Sequence, residues 1–306
     1  MTRTILEVKN ITKKIGEKTI LNDISFSINE GEILGLLGKN GAGKTTTLKI
    51  IVSLVSKTSG AIYINNINTE KQFIESMKHV GGIIENPEMY GYLSGYKNLI
   101  HFARMSNCKI SKSEIEKVVK LVGLEAAINK KVKTYSLGMK QRLGIAQAII
   151  HKPSLLILDE PTNGLDPQGI YQLRSYLKEL TKQGTSILIS SHLLSEMQLL
   201  CDKLVIIDNG KILKTGSIDE LVNASAENVV EFTVNNPSKA KEIIAGLFPV
   251  KKINVEEYKV TVKIDSNNIA LVNQEFVKNG VIVTGIVTKQ NSLEEQFLDL
   301  TREVSS

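Results

Sequence analysis

Apolar and polar positions alternate at two periods along this chain, and the changes of period mark its elements. Ile5-Leu6-Glu7-Val8-Lys9 and Ser25-Phe26-Ser27-Ile28 alternate every second residue, which predicts half-buried strands, with turn signals at Gly16 and Asn22-Asp23 between them. Ile33-Leu34-Gly35-Leu36-Leu37 is apolar throughout, as a strand buried on both faces would be. Leu48, Ile51 and Leu54 recur at helical spacing and predict a helix running on toward Gly60. Ala61-Ile62-Tyr63-Ile64 predicts the next strand, and 71–77 a helix. Residues 96–122 read as largely helical, opening with Leu99, Ile100 and Phe102. A further helix begins after Leu137, and Leu155-Leu156-Ile157-Leu158 is a second wholly apolar strand. Helix 168–183, strand 185–190, a helix from about 193 and strand 203–208 extend the alternation, which is the order of an α/β fold.

The pattern changes near residue 226. Strand 229–234, helix 238–247, strands 250–256 and 258–264, helix 268–279, strand 281–288 and helix 292–303 follow. A β-α-β-β-α-β order predicts a small α+β domain of ferredoxin-like type over 227–306, after a larger domain over 1–226. The smaller domain carries no motif that chemistry can be attached to, so structural or regulatory support is expected of it.

Composition narrows the function classes. The 306 residues suffice for a domain of about 200 residues plus a smaller one, and 42% hydrophobic with 23% charged residues is the make-up of an ordinary soluble chain. No apolar run approaches the roughly 18 residues that cross a bilayer, and Met1-Thr2-Arg3-Thr4-Ile5-Leu6-Glu7 has no apolar signal region, so secretion is not expected. Cys108 and Cys201 lack metal or disulfide spacing and read as two reduced thiols. The net charge of +6 comes from lysines spread along the chain, which argues for a solvated surface and against a nucleic-acid patch, while leaving a weak attraction to an anionic membrane.

The chemistry concentrates where apolar strands end. Gly38-Lys39-Asn40-Gly41-Ala42-Gly43-Lys44-Thr45, followed by Thr46, fits the P-loop spacing between a strand and a helix. Glycines there let backbone N–H groups turn inward around a polyphosphate, and the helix start adds its positive dipole end. Lys44 would reach the β- and γ-phosphates and Thr45 would hold Mg²⁺. Asp159 and Glu160 close the apolar strand at 155–158, where an open parallel sheet places ligands. Asp159 would support Mg²⁺ and Glu160 would polarise the attacking water. Ser136 could cap the helix that follows it, with Gly138 bringing backbone close to an anion, and His192 ends another apolar run after Ser190-Ser191.

In order and spacing these residues resemble the ATP-binding subunit of ABC transporters over nearly all of residues 5–225. Residues 38–45 match the Walker A motif and Leu155 to Glu160 looks like Walker B. Ser136-Leu137-Gly138-Met139-Lys140-Gln141 is similar to the signature, Gly164-Leu165-Asp166 to the D-loop and His192 to the switch histidine. The resemblance implies a head-to-tail homodimer that sandwiches two ATP molecules, each held by one subunit's P-loop and by Ser136, Gly138 and Met139 of the other. It further implies Glu160 as general base, His192 on the γ-phosphate, and a separate integral membrane permease to which this subunit binds from the cytoplasmic face. Coiled-coil ATPases of chromosome organisation are not indicated, since no sustained heptad run interrupts the chain, nor is a translation factor built from two such ATPase domains, since 227–306 contains no second P-loop.

Two positions depart from that pattern. Ile15 stands where the family usually stacks an aromatic on adenine, which weakens the expectation of strict ATP over GTP preference. Glu85, within Gly82-Ile83-Ile84-Glu85-Asn86-Pro87, stands where a glutamine is usual. A carboxylate there can accept from a metal-bound water, and so Glu85 counts among the candidate catalytic and metal-site residues. The acidic loop resembles the subgroup that protects bacteria against bacitracin and lantibiotic peptides, and Leu293-Glu294-Glu295-Gln296-Phe297-Leu298 looks like the C-terminal extension of that branch.

Overall fold

The computed structural model describes residues 3–106, 109–223, 227–248 and 253–289. The expected helix at 292–303, the segment Leu293 to Leu298 and Cys108 lie outside them. The chain divides into two compact units, Met1–Ile218 and Asp219–Ser306.

The first unit is built on a central sheet whose strands run, in order, Lys211–Ser217, Lys203–Asp208, Ile33–Leu37, Ser186–Ser191, Leu155–Asp159 and Val80–Ile83. All but the first are parallel to their neighbours, so the C-terminal ends of Ile33–Leu37, Ser186–Ser191 and Leu155–Asp159 share one edge. Every residue of Ile33–Leu37 and Leu155–Asp159 is buried, as their unbroken apolar runs require. A second, antiparallel sheet orders Lys18–Asn29, Thr4–Ile15, Ser59–Ile64 and Ile67–Asn68. Helix Lys44–Ile51 buries Leu48, Ile50 and Ile51 in one cluster with Leu6, Ile24 and Ile62 of that sheet and with Leu34 and Leu188 of the central sheet. Each fully buried aliphatic side chain contributes about 1.5–3 kcal/mol, so this cluster anchors the P-loop helix.

Several elements differ from the sequence expectation for identifiable reasons. The P-loop helix stops at Ile51, because Ser53 turns to φ 59 and Leu54, though in phase, is 68% exposed. The stretch 96–122 is two helices, Gly95–Met105 and Lys112–Leu121, the second opened by a capping box between Ser111 and Glu114. Asn22-Asp23 does not reverse the chain; it lies inside strand Lys18–Asn29, where Asp23 (φ 58) accepts from the Asn10 side-chain amide at 2.7 Å. Strands Val80–Ile83 and Lys211–Ser217 were not expected. The latter follows an Asn209-Gly210 turn with both residues at positive φ (44° and 72°), a hairpin cue present in the sequence.

In the second unit the order Glu227–Val234, Pro237–Leu247, Ile253–Val255, Lys259–Asp265, Ile269–Lys278, Val283–Lys289 is the expected β-α-β-β-α-β. Its sheet runs Ile253–Val255, Lys259–Asp265, Glu227–Val234, Val283–Lys289 with all neighbours antiparallel, which is the ferredoxin-like arrangement. Phe232 and Phe276 meet edge to face at 5.2 Å in its own core. Among the described residues no helix is long and apolar enough to cross a membrane.

Candidate active site

Leu37 ends its strand against the neighbouring sheet strand, and the chain turns at once into the glycine-rich loop. A side chain is excluded at Gly38, whose β-carbon would lie 2.4 Å from the Ile207 carbonyl oxygen. Gly43, at φ 108, closes the loop, and no side chain caps the helix that follows or places an acid in its first turn. That combination leaves a helix N-terminus available to an anion. Lys44 is only 6% exposed and folds back over the loop, its ammonium donating to the Gly38 carbonyl at 2.8 Å and the Lys39 carbonyl at 3.3 Å.

Register across the sheet brings the other groups to the same edge. Asp159 pairs with Ser190, and Leu37 with Ser191. Asp159 is 5% exposed; it accepts from the Thr45 hydroxyl at 2.9 Å and from the fully buried Ser190 hydroxyl. Glu160 sits at φ 47, a left-handed conformation that costs a non-glycine residue about 1–3 kcal/mol. Its N–H donates to the Ser190 hydroxyl and carbonyl, each at 3.1 Å, which holds the turn. The Glu160 carboxylate is then shared: Oε1 lies 3.2 Å from Lys44 Nζ and Oε2 2.8 Å from His192 Nδ1. The Thr45 hydroxyl beside the Asp159 carboxylate is a hard oxygen pair, and Mg²⁺ is commonly held by one or two protein oxygens plus substrate phosphates. These residues fit that ion.

A cavity of about 270 Å³ opens over this cluster, lined by Asn40, Gly41, Gly43 to Thr46, Glu160 and His192, and also by Ile20 and Asn163. Ser136 and Gly138 do not reach it. They line a separate cavity of about 460 Å³ together with Gly164, Leu165 and Asp166, and the two cavities share no residue. Ser136 caps helix Leu137–Ile149, accepting from the Met139 N–H at 3.3 Å, and Asp166 caps Pro167–Lys182 in the same way. Glu85 also stands apart, at φ 67, paired with Lys49 at 2.6 Å. Ile15 is exposed at the hairpin turn, while Ile20 of the same hairpin is the aliphatic residue that lines the P-loop cavity.

Sequence reasoning missed Ser190, Asn163, Ile20 and Lys49. Ser190 carried a usable signal, a hydroxyl at the end of the apolar run Ile187-Leu188-Ile189 one strand from the Asp159 carboxylate. The others depend on folding alone.

Compared with known proteins, the chain matches the ABC transporter family over residues 21–163. An ABC transporter ATP-binding protein of Bacillus subtilis is 44% identical over 98% of this chain and 97% of its own length. The bacitracin transport ATP-binding protein of Enterococcus faecalis is 39% identical over 97% of this chain and 96% of its own. Among solved structures, an ATP-binding subunit of an ABC transporter aligns with a TM-score of 0.66 at 32% identity, covering 72% of this chain and 92% of that one. The chain belongs to the ATP-binding subunits of ABC transporters: it is an ATPase that binds ATP as part of a transporter.

Proposed function

We propose that this subunit hydrolyses ATP at sites shared between two copies of itself and thereby drives a separate integral membrane permease that exports, or protects against, a peptide antibiotic of the bacitracin or lantibiotic kind. The observation that carries the reading is the convergence on Glu160, whose carboxylate is shared by Lys44 and His192 beside the Thr45–Asp159 pair.

In this mechanism the P-loop N–H groups and Lys44 bind the β- and γ-phosphates, and Lys44 exchanges Glu160 for phosphate oxygens as it does so. The freed Glu160 carboxylate accepts the proton of the attacking water, while His192, hydrogen-bonded to it, orients toward the γ-phosphate. Thr45 and Asp159 would hold Mg²⁺, which neutralises charge on the phosphates when bound. Ser136, Gly138 and Met139 of the second copy complete the site with a helix N-terminus. The separation of the two cavities within one copy supports this composite arrangement.

The permease reading is supported by an apolar groove beside the Glu85 loop. Two adjoining cavities of about 570 and 400 Å³ share Met77, Val80, Gly82 and Gln147, and exposed Leu54, Ile74 and Met105 line their walls. A helix of the permease seated there, at the cytoplasmic face of the membrane, would bear on Glu85 and so on the nucleotide. The cargo follows from likeness to the bacitracin transport protein alone. Glu160→Gln tests the whole reading. The purified variant is expected to bind ATP, dimerise and lose turnover by about 10²–10⁴-fold; in cells it should fail to restore bacitracin tolerance that the unmodified subunit and its permease confer. Undiminished hydrolysis would remove Glu160 from the role of base, and unchanged tolerance without the subunit would remove the cargo.

A further inference from the structure

The dipeptide Asn-Gly occurs four times in the chain, at 40–41, 163–164, 209–210 and 279–280. At such a pair the asparagine amide is open to attack by the following backbone nitrogen, because glycine has no side chain to crowd the approach. In all of them the glycine stands at positive φ, between 71° and 82°, so the glycine backbone does not distinguish one pair from another.

Hydrogen bonding does. The Gly210 N–H donates to the Ala42 carbonyl and the Gly280 N–H to the Val277 carbonyl, each at 3.0 Å. The asparagine amides before them are tied as well, Asn209 to the Asp208 carboxylate at 3.0 Å and Asn279 to the Glu275 carbonyl at 2.9 Å. At Asn40-Gly41 and Asn163-Gly164, neither the side-chain amide nor the glycine N–H has a partner among the described residues, and both pairs are exposed. Exposure is not the difference, since Asn279 and Gly280 are exposed too. The two unheld pairs are the two at the nucleotide site: Asn40, Gly41 and Asn163 line the cavity of about 270 Å³ over the P-loop.

We propose that Asn40 and Asn163 are sites of spontaneous deamidation, and that nucleotide in the P-loop shields Asn40, so that a subunit left empty converts itself into one that cannot bind. The Gly41 nitrogen, its proton taken by base, attacks Cγ of Asn40. The new N–Cγ bond forms as the side-chain nitrogen leaves, carrying a proton away as ammonia, and a cyclic imide remains. Water then adds to one imide carbonyl and the C–N bond there breaks, with the proton passing to nitrogen. Opening on one side gives aspartate, and on the other isoaspartate, in which the backbone is longer by one carbon. Either product places a carboxylate where the phosphates must lie, in a cavity that already holds Glu160, and like charges repel. The shield rests on the reading in which P-loop N–H groups bind phosphate, since a Gly41 N–H so engaged is held as that of Gly210 is.

The full chain, purified without nucleotide, is kept warm at mildly alkaline pH for days and mapped by peptide mass spectrometry with isoaspartyl methyltransferase labelling. Conversion at Asn40 and Asn163 should outpace that at Asn209 and Asn279 by about tenfold or more, because the held pairs must first open. Saturating ADP with Mg²⁺ should slow Asn40 by a similar factor and leave Asn209 and Asn279 unchanged. Binding of a fluorescent ATP analogue should fall in step with the modified fraction of Asn40. Asn40→Asp, which installs the charge alone, should weaken that binding about fivefold or more at an unchanged thermal midpoint, since Asn40 has no contact to lose. Equal rates at all four pairs overturn the reactive sites. Selective conversion that ADP does not slow, in a protein shown to bind ADP, overturns the shield, and undiminished binding by Asn40→Asp overturns the inactivation. A fresh protein that binds no analogue at all overturns the P-loop reading and the shield with it, while the order of rates among the four pairs still decides the reactive sites.

Discussion

Ser190 is the residue on which the acidic edge depends. Its hydroxyl donates to Asp159 and accepts from the Glu160 N–H, so one buried side chain orients both carboxylate-bearing residues. Ser190→Ala would take one of two partners from each, leaving Asp159 with the Thr45 hydroxyl and the Glu160 N–H with the Ser190 carbonyl. Such losses cost about 1–3 kcal/mol, and urea denaturation should show a destabilisation of that size, with turnover falling as the Glu160 turn loosens. A midpoint equal to that of the unmodified protein would show that water replaces the hydroxyl. At this scale the sequence was readable wherever a motif fixed spacing: Lys44, Thr45, Asp159, Glu160 and His192 are brought to one edge. It was unreadable wherever a side chain acts across the sheet. The 2.6 Å pairing of Glu85 with Lys49 joins residues 36 positions apart through folding alone.

Among the elements, helix Lys112–Leu121 shows how local chemistry overrides periodicity. The pattern of apolar residues runs on through 96–122, but Ser111 and Glu114 supply the reciprocal bonds that start a new helix. Glu114 is also held by Lys152 at 2.5 Å, and that hydrogen bond, with the Ser111 N–H, lowers its carboxyl from 4.5 to about 2. A carboxylate depressed in the folded state contributes stability above its unfolded value and loses it as pH falls. The contribution should therefore fade between pH 4.5 and about 2, and fade further with added salt because its Lys152 partner is exposed. Thermal unfolding followed down that range should show Glu114→Gln with a shallower acid limb than the unmodified protein; parallel curves would exclude the pair as a source of acid sensitivity. Strand Val80–Ile83 escaped the pattern for the opposite reason. Its Gly81-Gly82 carries no apolar signal, yet a β-carbon at Gly81 would lie 1.9 Å from the Ala148 carbonyl oxygen, so glycine is what lets helix Leu137–Ile149 end against the sheet.

Across the whole molecule, the alternation of strands and helices predicted the α/β unit, and the β-α-β-β-α-β order predicted the smaller one. Each forms a core of its own, around Leu6, Leu34 and Leu188 in the first and Phe232 and Phe276 in the second. Every residue of the nucleotide chemistry lies within Met1–Ile218. Chain order could not indicate which parts of the chemistry stay apart, because distance between cavities is a property of the folded sheet and helices. The two non-overlapping cavities, about 270 and 460 Å³, carry a kinetic consequence. On the composite reading no single copy is an enzyme, so dilute subunit should show turnover rising with the square of its concentration, and becoming proportional to concentration once copies pair. A specific rate that stays constant on dilution to nanomolar levels would contradict it. A permease holding two copies side by side would abolish the second-order regime, so that isolated subunits lie idle while those at the membrane work, without any inhibitor being required.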